Sequence, residues 1–95
     1  MTRTFLIVHG IVQGVGYRSY VRSVALKHGV KGFVRNSEDG SVHVLAEADR
    51  ETLDRFVEEI KIDSKSGPQV FKIDVENEKA ERFSGLEFSG FVIRR

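Results

Sequence analysis

Apolar residues follow two different periods along this chain. Residues 5–12 are almost continuously apolar, which is typical of a central strand covered on at least one face. Between Tyr17 and His28 the apolar residues recur every three or four positions, which predicts a helix, and Gly29 can end that helix in the left-handed conformation. Residues 30–36 and 41–48 then predict two strands joined by a glycine-containing loop of hairpin length.

The second half of the chain begins with a helix signal. Asp49 is a suitable N-cap, and Glu51 and Arg55 are spaced to pair on the outside of the helix. The inward-facing residues of this predicted helix are Leu53, Phe56, Val57 and Ile60.

A break at residues 65–68 precedes the remaining elements. Residues 71–75 alternate between apolar and polar side chains, as a fourth strand does. Residues 78–85 are interpreted as a polar connector, and residues 88–93 predict a short last strand. Six phenylalanines are predicted to lie in the core: Phe5, Phe33, Phe56, Phe71, Phe88 and Phe91.

This order of elements defines a fold class. Strand, helix, strand, strand, helix, strand is the βαββαβ order of the ferredoxin-like α+β sandwich, in which two helices cover one face of an antiparallel sheet. The last strand is a short C-terminal addition to that order. We expect residues 1–95 to form a single domain of this kind, because a chain of this length suffices for one two-layer core.

Composition narrows the classes of function. Fifteen basic and fourteen acidic residues give a net charge of +1, which is too small for the broad basic field of a protein that binds nucleic acid or anionic membranes. The chain has no cysteine, so it carries no disulfide framework and no thiol chemistry. Residues 5–8 are too few for a signal peptide or membrane span. We expect a soluble, monomeric, cytoplasmic protein.

The segment from Gly10 to Arg18 is the strongest candidate for chemistry. A strand-like run breaks into glycines and resumes as a helix with an arginine in its first turn. Backbone N–H groups at a helix start have no intrahelical partner and attract anions, and a guanidinium can donate to a phosphate with two N–H groups at once. On local sequence alone, Arg18 could equally be a solvated arginine and the glycines plain turn formers.

Other apparent motifs give weaker evidence of a function. Ser19 occupies the third glycine position of the dinucleotide-binding fingerprint, and no Gly-Lys-Ser/Thr phosphate motif occurs. His9, His28 and His43 are distant in sequence and have no cysteine partner, so we interpret them as structural and expect no metal site.

Two segments together closely resemble the signature sequences of the acylphosphatases. The first runs from Gly10 to Arg18 (GIVQGVGYR) and the second from Gly32 to Val42 (GFVRNSEDGSV). The resemblance extends over the whole chain, including the ending FSGFVI at residues 88–93. It implies a ferredoxin-like fold and hydrolysis of an acyl phosphate to a carboxylate and inorganic phosphate, with no metal or cofactor.

The resemblance also implies roles for individual residues. Arg18 matches the phosphate-binding arginine of the family, and Asn36 matches the asparagine that holds the attacking water. The backbone of the loop that comprises Gln13, Gly14, Val15, Gly16, Tyr17 and Arg18 matches the phosphate-binding loop. Ala48 stands where the second signature usually ends in glycine, and we expect only a small local adjustment there. Without the resemblance, Asn36 reads as a turn residue that opens a hairpin.

Two other functions remain open at this stage. An RNA-binding module shares the order of strands and helices, and Lys31-Gly32-Phe33 matches the start of its signature. However, the following residues lack the aromatic spacing that base stacking needs. The second alternative is a non-catalytic acylphosphatase-like domain of the kind fused to carbamoyl-transferring proteins, which we rank last because these 95 residues include no partner domain.

Overall fold

The computed structural model describes residues 1–95 and has the predicted order of strands and helices, with one additional short helix before the last strand. Its strands are β1 (Thr2–Ile11), β2 (Lys31–Asn36), β3 (Val42–Ala48), β4 (Gln69–Val75) and β5 (Phe91–Arg94). Its helices are α1 (Tyr17–His28), α2 (Arg50–Ile60) and the short α3 (Asn77–Glu81). The ferredoxin-like α+β fold is therefore confirmed. None of the helices is long and apolar enough to cross a membrane.

The strands form one sheet in the order β4-β1-β3-β2-β5. The interior strand β1 pairs antiparallel with both β3 and β4, and the middle strand β3 also pairs antiparallel with β2. The added strand β5 pairs parallel with β2. The sheet is therefore mixed at this edge, whereas the first four strands have the antiparallel arrangement predicted from the sequence.

The main core lies between one face of the sheet and the helices α1 and α2. Alternate residues of the central strands point into it, since successive side chains of a strand face opposite sides. The start of α2 and the end of α1 are as the sequence predicts: the Asp49 carboxylate accepts a hydrogen bond from the Thr52 N–H at 2.8 Å, and Gly29 ends α1 with φ of 69°. The helix α2 ends at Ile60, earlier than the predicted break at residues 65–68. The largest fully buried members are Leu6, Val8, Val12, Tyr17, Val21, Val34, Val42, Val44, Phe56 and Ile60.

A second, smaller core covers the opposite face of the sheet. The segment predicted as a polar connector contains α3, whose Ala80 is buried against Phe5, Phe33 and Leu45. The prediction of a polar connector is therefore wrong for residues 78–81. The short helix was missed because only one of its five residues is apolar, so it carries no helical period.

Phenylalanines and an arginine fix the segment after α3 over this second core. The ring of Phe83 stacks on that of Phe5 with centroids 5.9 Å apart, and Phe88 lies 6.1 Å from Phe33. The Arg3 guanidinium donates hydrogen bonds to the carbonyl oxygens of Phe83 and Leu86. Both faces of the central strands are thus covered, which explains why β1 is apolar on both sides.

Three predicted details differ from the structure. The strand β1 begins at Thr2 because residues 2–4 extend the ladder with β3 despite their polarity. The last strand begins at Phe91, since Phe88 packs on the second core instead of extending the strand. Phe71 is 69% exposed and not a core residue, because it lies on the edge strand β4 beside the bulge at His9/Gly10.

Candidate active site

The loop between β1 and α1 bends through two glycines in the left-handed region. Gly14 has φ of 74° and Gly16 has φ of 79°, a conformation that residues with a Cβ adopt at a cost. Gly16 is the N-cap of α1 and offers no side chain to cap the helix. The glycines therefore set the path of the loop and leave the start of α1 open.

The two long helices differ sharply at their N-termini. The first turn of α2 is capped by Asp49 and contains Glu51, so its positive end is satisfied by carboxylates of the chain. The first turn of α1 has no acidic residue, and no backbone N–H from residue 14 to residue 19 donates to an oxygen of the chain. A run of free amides at the positive end of a helix dipole is an anion-binding arrangement.

Arg18 lies in this same first turn and is half-buried. Its Nη1 donates to the Arg94 carbonyl oxygen of β5 at 3.3 Å, which leaves most of the five donors of the guanidinium free. The loop and the side chain line a small, solvent-open cavity of about 120 Å³. The cavity is lined by Val12, Gly14, Gly16, Tyr17, Arg18, Ser19 and Ile93.

The hairpin between β2 and β3 contributes the other predicted site residue. Asn36 is the last residue of β2, and its Oδ1 is the only buried side-chain polar atom without a hydrogen-bond partner. Buried polar groups in folded proteins are nearly always paired, so an unpaired one calls for a functional explanation. The Asn36 carboxamide therefore has hydrogen-bonding capacity that no other group of the chain uses.

The hairpin turn at residues 37–41 is tightly hydrogen-bonded. The Ser37 N–H donates to the Ser41 carbonyl oxygen at 2.9 Å. The Asp39 carboxylate accepts bonds from the Ser41 hydroxyl and N–H at 2.5 and 2.9 Å. These bonds from Ser41 lower the pKa of Asp39 to about 2.

Gln13 connects the loop to this hairpin. Its side-chain Nε2 donates to the carbonyl oxygens of Ser37 and Ser41 at 2.7 and 2.8 Å. The loop that carries the free amides and the strand end that carries Asn36 are therefore held side by side. The sequence placed Gln13 in the loop by its backbone and gave no sign of this side-chain contact, whose partners are 24 and 28 residues away.

The three histidines lie in separate contacts. His9 bonds the Asp74 carboxylate at 3.0 Å, and His28 bonds the Glu59 carboxylate of α2 at 2.7 Å. His43 packs edge-on against the Phe5 ring, and burial together with the nearby Arg35 lowers its pKa. No three histidine or acidic side chains come together in a group that could hold a metal ion.

Ala48 lies far from the loop. It pairs with Thr2 at one end of β3, whereas Val42 begins the strand at the hairpin end. Glycine is therefore not required at this position for the loop and Asn36 to be arranged as described.

These features define an α+β protein of the ferredoxin-like class in which a loop with free backbone amides lies beside a hairpin. A model of the acylphosphatase family matches residues 4–93. An acylphosphatase from Pseudothermotoga lettingae is 40% identical over 93 residues, which are 98% of each chain. Another from Nocardia farcinica is 55% identical over 51 residues, which are 54% of this chain and 51% of that protein.

A solved structure agrees with these sequence matches. The crystal structure of acylphosphatase from Bacillus subtilis superposes with a TM-score of 0.84, covers all of both chains and is 36% identical. The chain belongs to the acylphosphatase family and is an enzyme of that family.

Proposed function

We propose that this enzyme hydrolyses acyl phosphates, the mixed anhydrides of a carboxylic acid and phosphoric acid. In this proposal Arg18 and the backbone amides of residues 13–18 bind the phosphate, and Asn36 orients the attacking water. Residues 1–95 act as a single domain. The observation that carries the proposal is the pairing of free loop amides with a buried, unpartnered Asn36 Oδ1 across the Gln13 contact.

The phosphate-binding half of the proposed site supplies positive charge without a metal ion. Arg18 and residues of the loop with free amides line one small cavity. Donors that are already in place when negative charge accumulates on the phosphoryl oxygens stabilise the transition state without further reorganisation. An arginine in the first turn of a helix meets the dipole unfavourably, and a bound dianion would offset that cost.

In this proposal, the Asn36 side chain orients the attacking water molecule. The carbonyl or the amide group of this side chain can hydrogen-bond a water molecule and so fix the direction from which the oxygen attacks. The water oxygen forms a new bond as the bond between the acyl group and phosphate breaks, which yields a carboxylate, inorganic phosphate and one proton. The substrate phosphate itself can accept that proton.

This short list of groups suffices because the substrate is already activated. A carboxylate is a good leaving group, so no strong acid and no covalent nucleophile are required. The proposal accordingly includes no cofactor and no metal, and its ligands are a small acyl phosphate and the phosphate product.

We propose that the protein acts as a cytoplasmic monomer that does not bind nucleic acid. An RNA-recognition sheet presents exposed aromatic residues for base stacking. Phe33, the aromatic residue of the Lys31-Gly32-Phe33 match, is only 1% exposed beneath α3 and the following segment. The net charge of +1 favours the same conclusion.

The test is turnover of benzoyl phosphate, followed by absorbance, for wild type, Arg18→Ala and Asn36→Ala. Loss of the guanidinium should lower kcat/KM by about 100-fold or more, which corresponds to roughly 3 kcal/mol. Asn36→Ala should lower kcat while inorganic phosphate still inhibits competitively, because the anion-binding donors remain.

Arg22→Ala is the matched control for Arg18→Ala. Arg22 lies one turn further along α1 and also donates to a β5 carbonyl oxygen, that of Phe91 at 3.2 Å, but it does not line the loop cavity. The control should retain wild-type turnover. Absence of benzoyl phosphate turnover in folded wild-type protein, or an unchanged kcat/KM in Arg18→Ala, would refute the proposal.

A further inference from the structure

The Gln13 side chain makes an unusual double contact. Both of its bonds come from one nitrogen, and both end on carbonyl oxygens that bracket the hairpin turn. We propose that Gln13 is a positioning residue that holds the water-orienting hairpin in register with the phosphate-binding loop. This inference rests on the proposed function, because it explains how the two halves of that proposed site are held at a fixed separation.

The Gln13 contact is the only hydrogen-bonded link between the loop and the hairpin. The pairing of β1 with β3 stops at Val8 and Val42, and beyond that point β1 runs beside β4 only. No backbone hydrogen bond joins residues 12–19 to residues 36–42. Without Gln13, therefore, no polar contact would determine how far the free amides lie from Asn36.

The chemistry of the contact is specific to a carboxamide. The two N–H groups of Nε2 match the two carbonyl oxygens, whereas a carboxylate would set negative charge against them and a thioether would donate nothing. The carbonyl oxygens of Ser37 and Ser41 already accept bonds from the N–H groups of Gly40 and Ser37. Loss of the Gln13 amide therefore leaves neither carbonyl unpaired, and the fold should survive.

The effect on the site follows from chain connectivity. Ser37 directly follows Asn36, so a bond to its carbonyl oxygen restrains the strand end from which the Asn36 side chain projects. The anion-binding donors belong to the loop and to α1 and do not depend on the hairpin. Loss of the contact should consequently weaken the catalytic step more than phosphate binding.

The experiment compares Gln13→Met with wild type in benzoyl phosphate turnover and in competitive inhibition by inorganic phosphate. We expect kcat to fall by about tenfold or more, because a small misplacement of a reacting group is enough for that. The inhibition constant of phosphate should stay within about threefold of wild type, since ground-state binding is retained.

Tyr20→Phe is the matched control. It deletes one half-buried side-chain donor, the Tyr20 hydroxyl that bonds the Glu59 carbonyl oxygen at 2.8 Å, and that bond joins α1 to α2 away from the hairpin. This variant should keep both wild-type kcat and wild-type phosphate inhibition. Urea denaturation of all variants separates a loss of fold from a loss of register.

Gln13→Glu adds a readout that a purely structural role would not give. The ionised glutamate repels the two carbonyl oxygens, but the protonated acid has one O–H donor that can restore one bond. Relative to Gln13→Met, its turnover should therefore rise as the pH falls towards the ordinary glutamate pKa of about 4.3.

Three results would overturn the inference. They are a kcat of Gln13→Met within about twofold of wild type, a phosphate inhibition constant that worsens in step with kcat/KM, and a ratio of Gln13→Glu to Gln13→Met turnover that does not change with pH. Inactive wild-type protein would instead refute the proposed function, so the two failures are distinguishable.

Discussion

The two ends of α1 allow backbone strain to be separated from function. Gly16 and Gly29 cap the same helix, both in the left-handed region, with φ of 79° and 69°. A Cβ built on either glycine meets no atom within 4 Å. Replacing each one by alanine therefore imposes the same kind of perturbation, a conformational penalty without a steric clash.

The expected cost in stability is similar for the two variants. Holding an L-residue in the left-handed region costs about 1–2 kcal/mol, and both Gly16→Ala and Gly29→Ala should lose about that much free energy of unfolding. The cost in activity should differ. Relief of the strain at position 16 would rotate the peptide groups whose N–H donors bind the phosphate in the proposed site, and loss of one such donor costs roughly 3 kcal/mol, or about 100-fold in kcat.

Urea denaturation and benzoyl phosphate turnover measure the two quantities on the same preparations. We expect Gly29→Ala to keep wild-type kcat/KM, because Gly29 lies at the far end of the helix, where its single backbone N–H donates to the carbonyl oxygens of Ala25 and Leu26. If both variants lost equal stability and both kept full activity, the loop amides would not bind the phosphate in the way proposed.

Two further predictions concern stability. Asp39 has a pKa of about 2 in the folded protein against 3.8 as its ordinary value, so its contribution is fully present above about pH 4 and is lost as the pH falls through 2; Asp39→Asn should make the urea midpoint fall less steeply over that range, and parallel curves would contradict this. Phe33→Ala removes a fully buried ring that contacts Phe83, Phe88 and the Arg94 guanidinium 4.3 Å away, and it should cost about 3–5 kcal/mol in urea denaturation. A loss below about 1 kcal/mol would mean that the second core is dispensable.

The elements that the sequence predicts best have a long, regular pattern of apolar residues and a clear signal at one end. The helix α1 spans Tyr17–His28 as predicted because its apolar stripe is regular and Gly29 stops it. The start of α2 followed from Asp49, which caps it as expected, and Arg55 bonds Glu51 at 2.9 Å. Local signals of this kind are readable because the interacting residues are three or four positions apart.

The features that the sequence did not predict depend on distant partners. The parallel pairing of β5 with β2 joins residues far apart in the chain, and the five residues of α3 are helical because the second core buries Ala80. The exposure of Phe71 follows from its place on an edge strand, which alternation alone cannot reveal. Tertiary context decided each of these cases.

In the candidate site, too, the features carried by local motifs could be predicted, whereas a contact between distant residues could not. Arg18, Asn36 and the glycine loop could be selected from the sequence because two separate motifs pointed to them, and their roles remain predictions. The hydrogen bonds of the Gln13 side chain could not be predicted from the sequence, because their acceptors are backbone carbonyl oxygens, which every residue has.

The strand order has a consequence for how this protein acquires its structure. Only β2 and β3 are both neighbours in the sheet and consecutive strands in the chain, whereas β1 must find β3 and β4, and β2 must find β5, across long stretches of polypeptide. Closing such large loops costs entropy before any contact compensates for it, so proteins with a high contact order fold slowly. On a ribosome, the nascent chain would therefore hold an open edge at β2 until residues 91–94 emerge, and the proposed phosphate site, which Ile93 lines, would be completed only then.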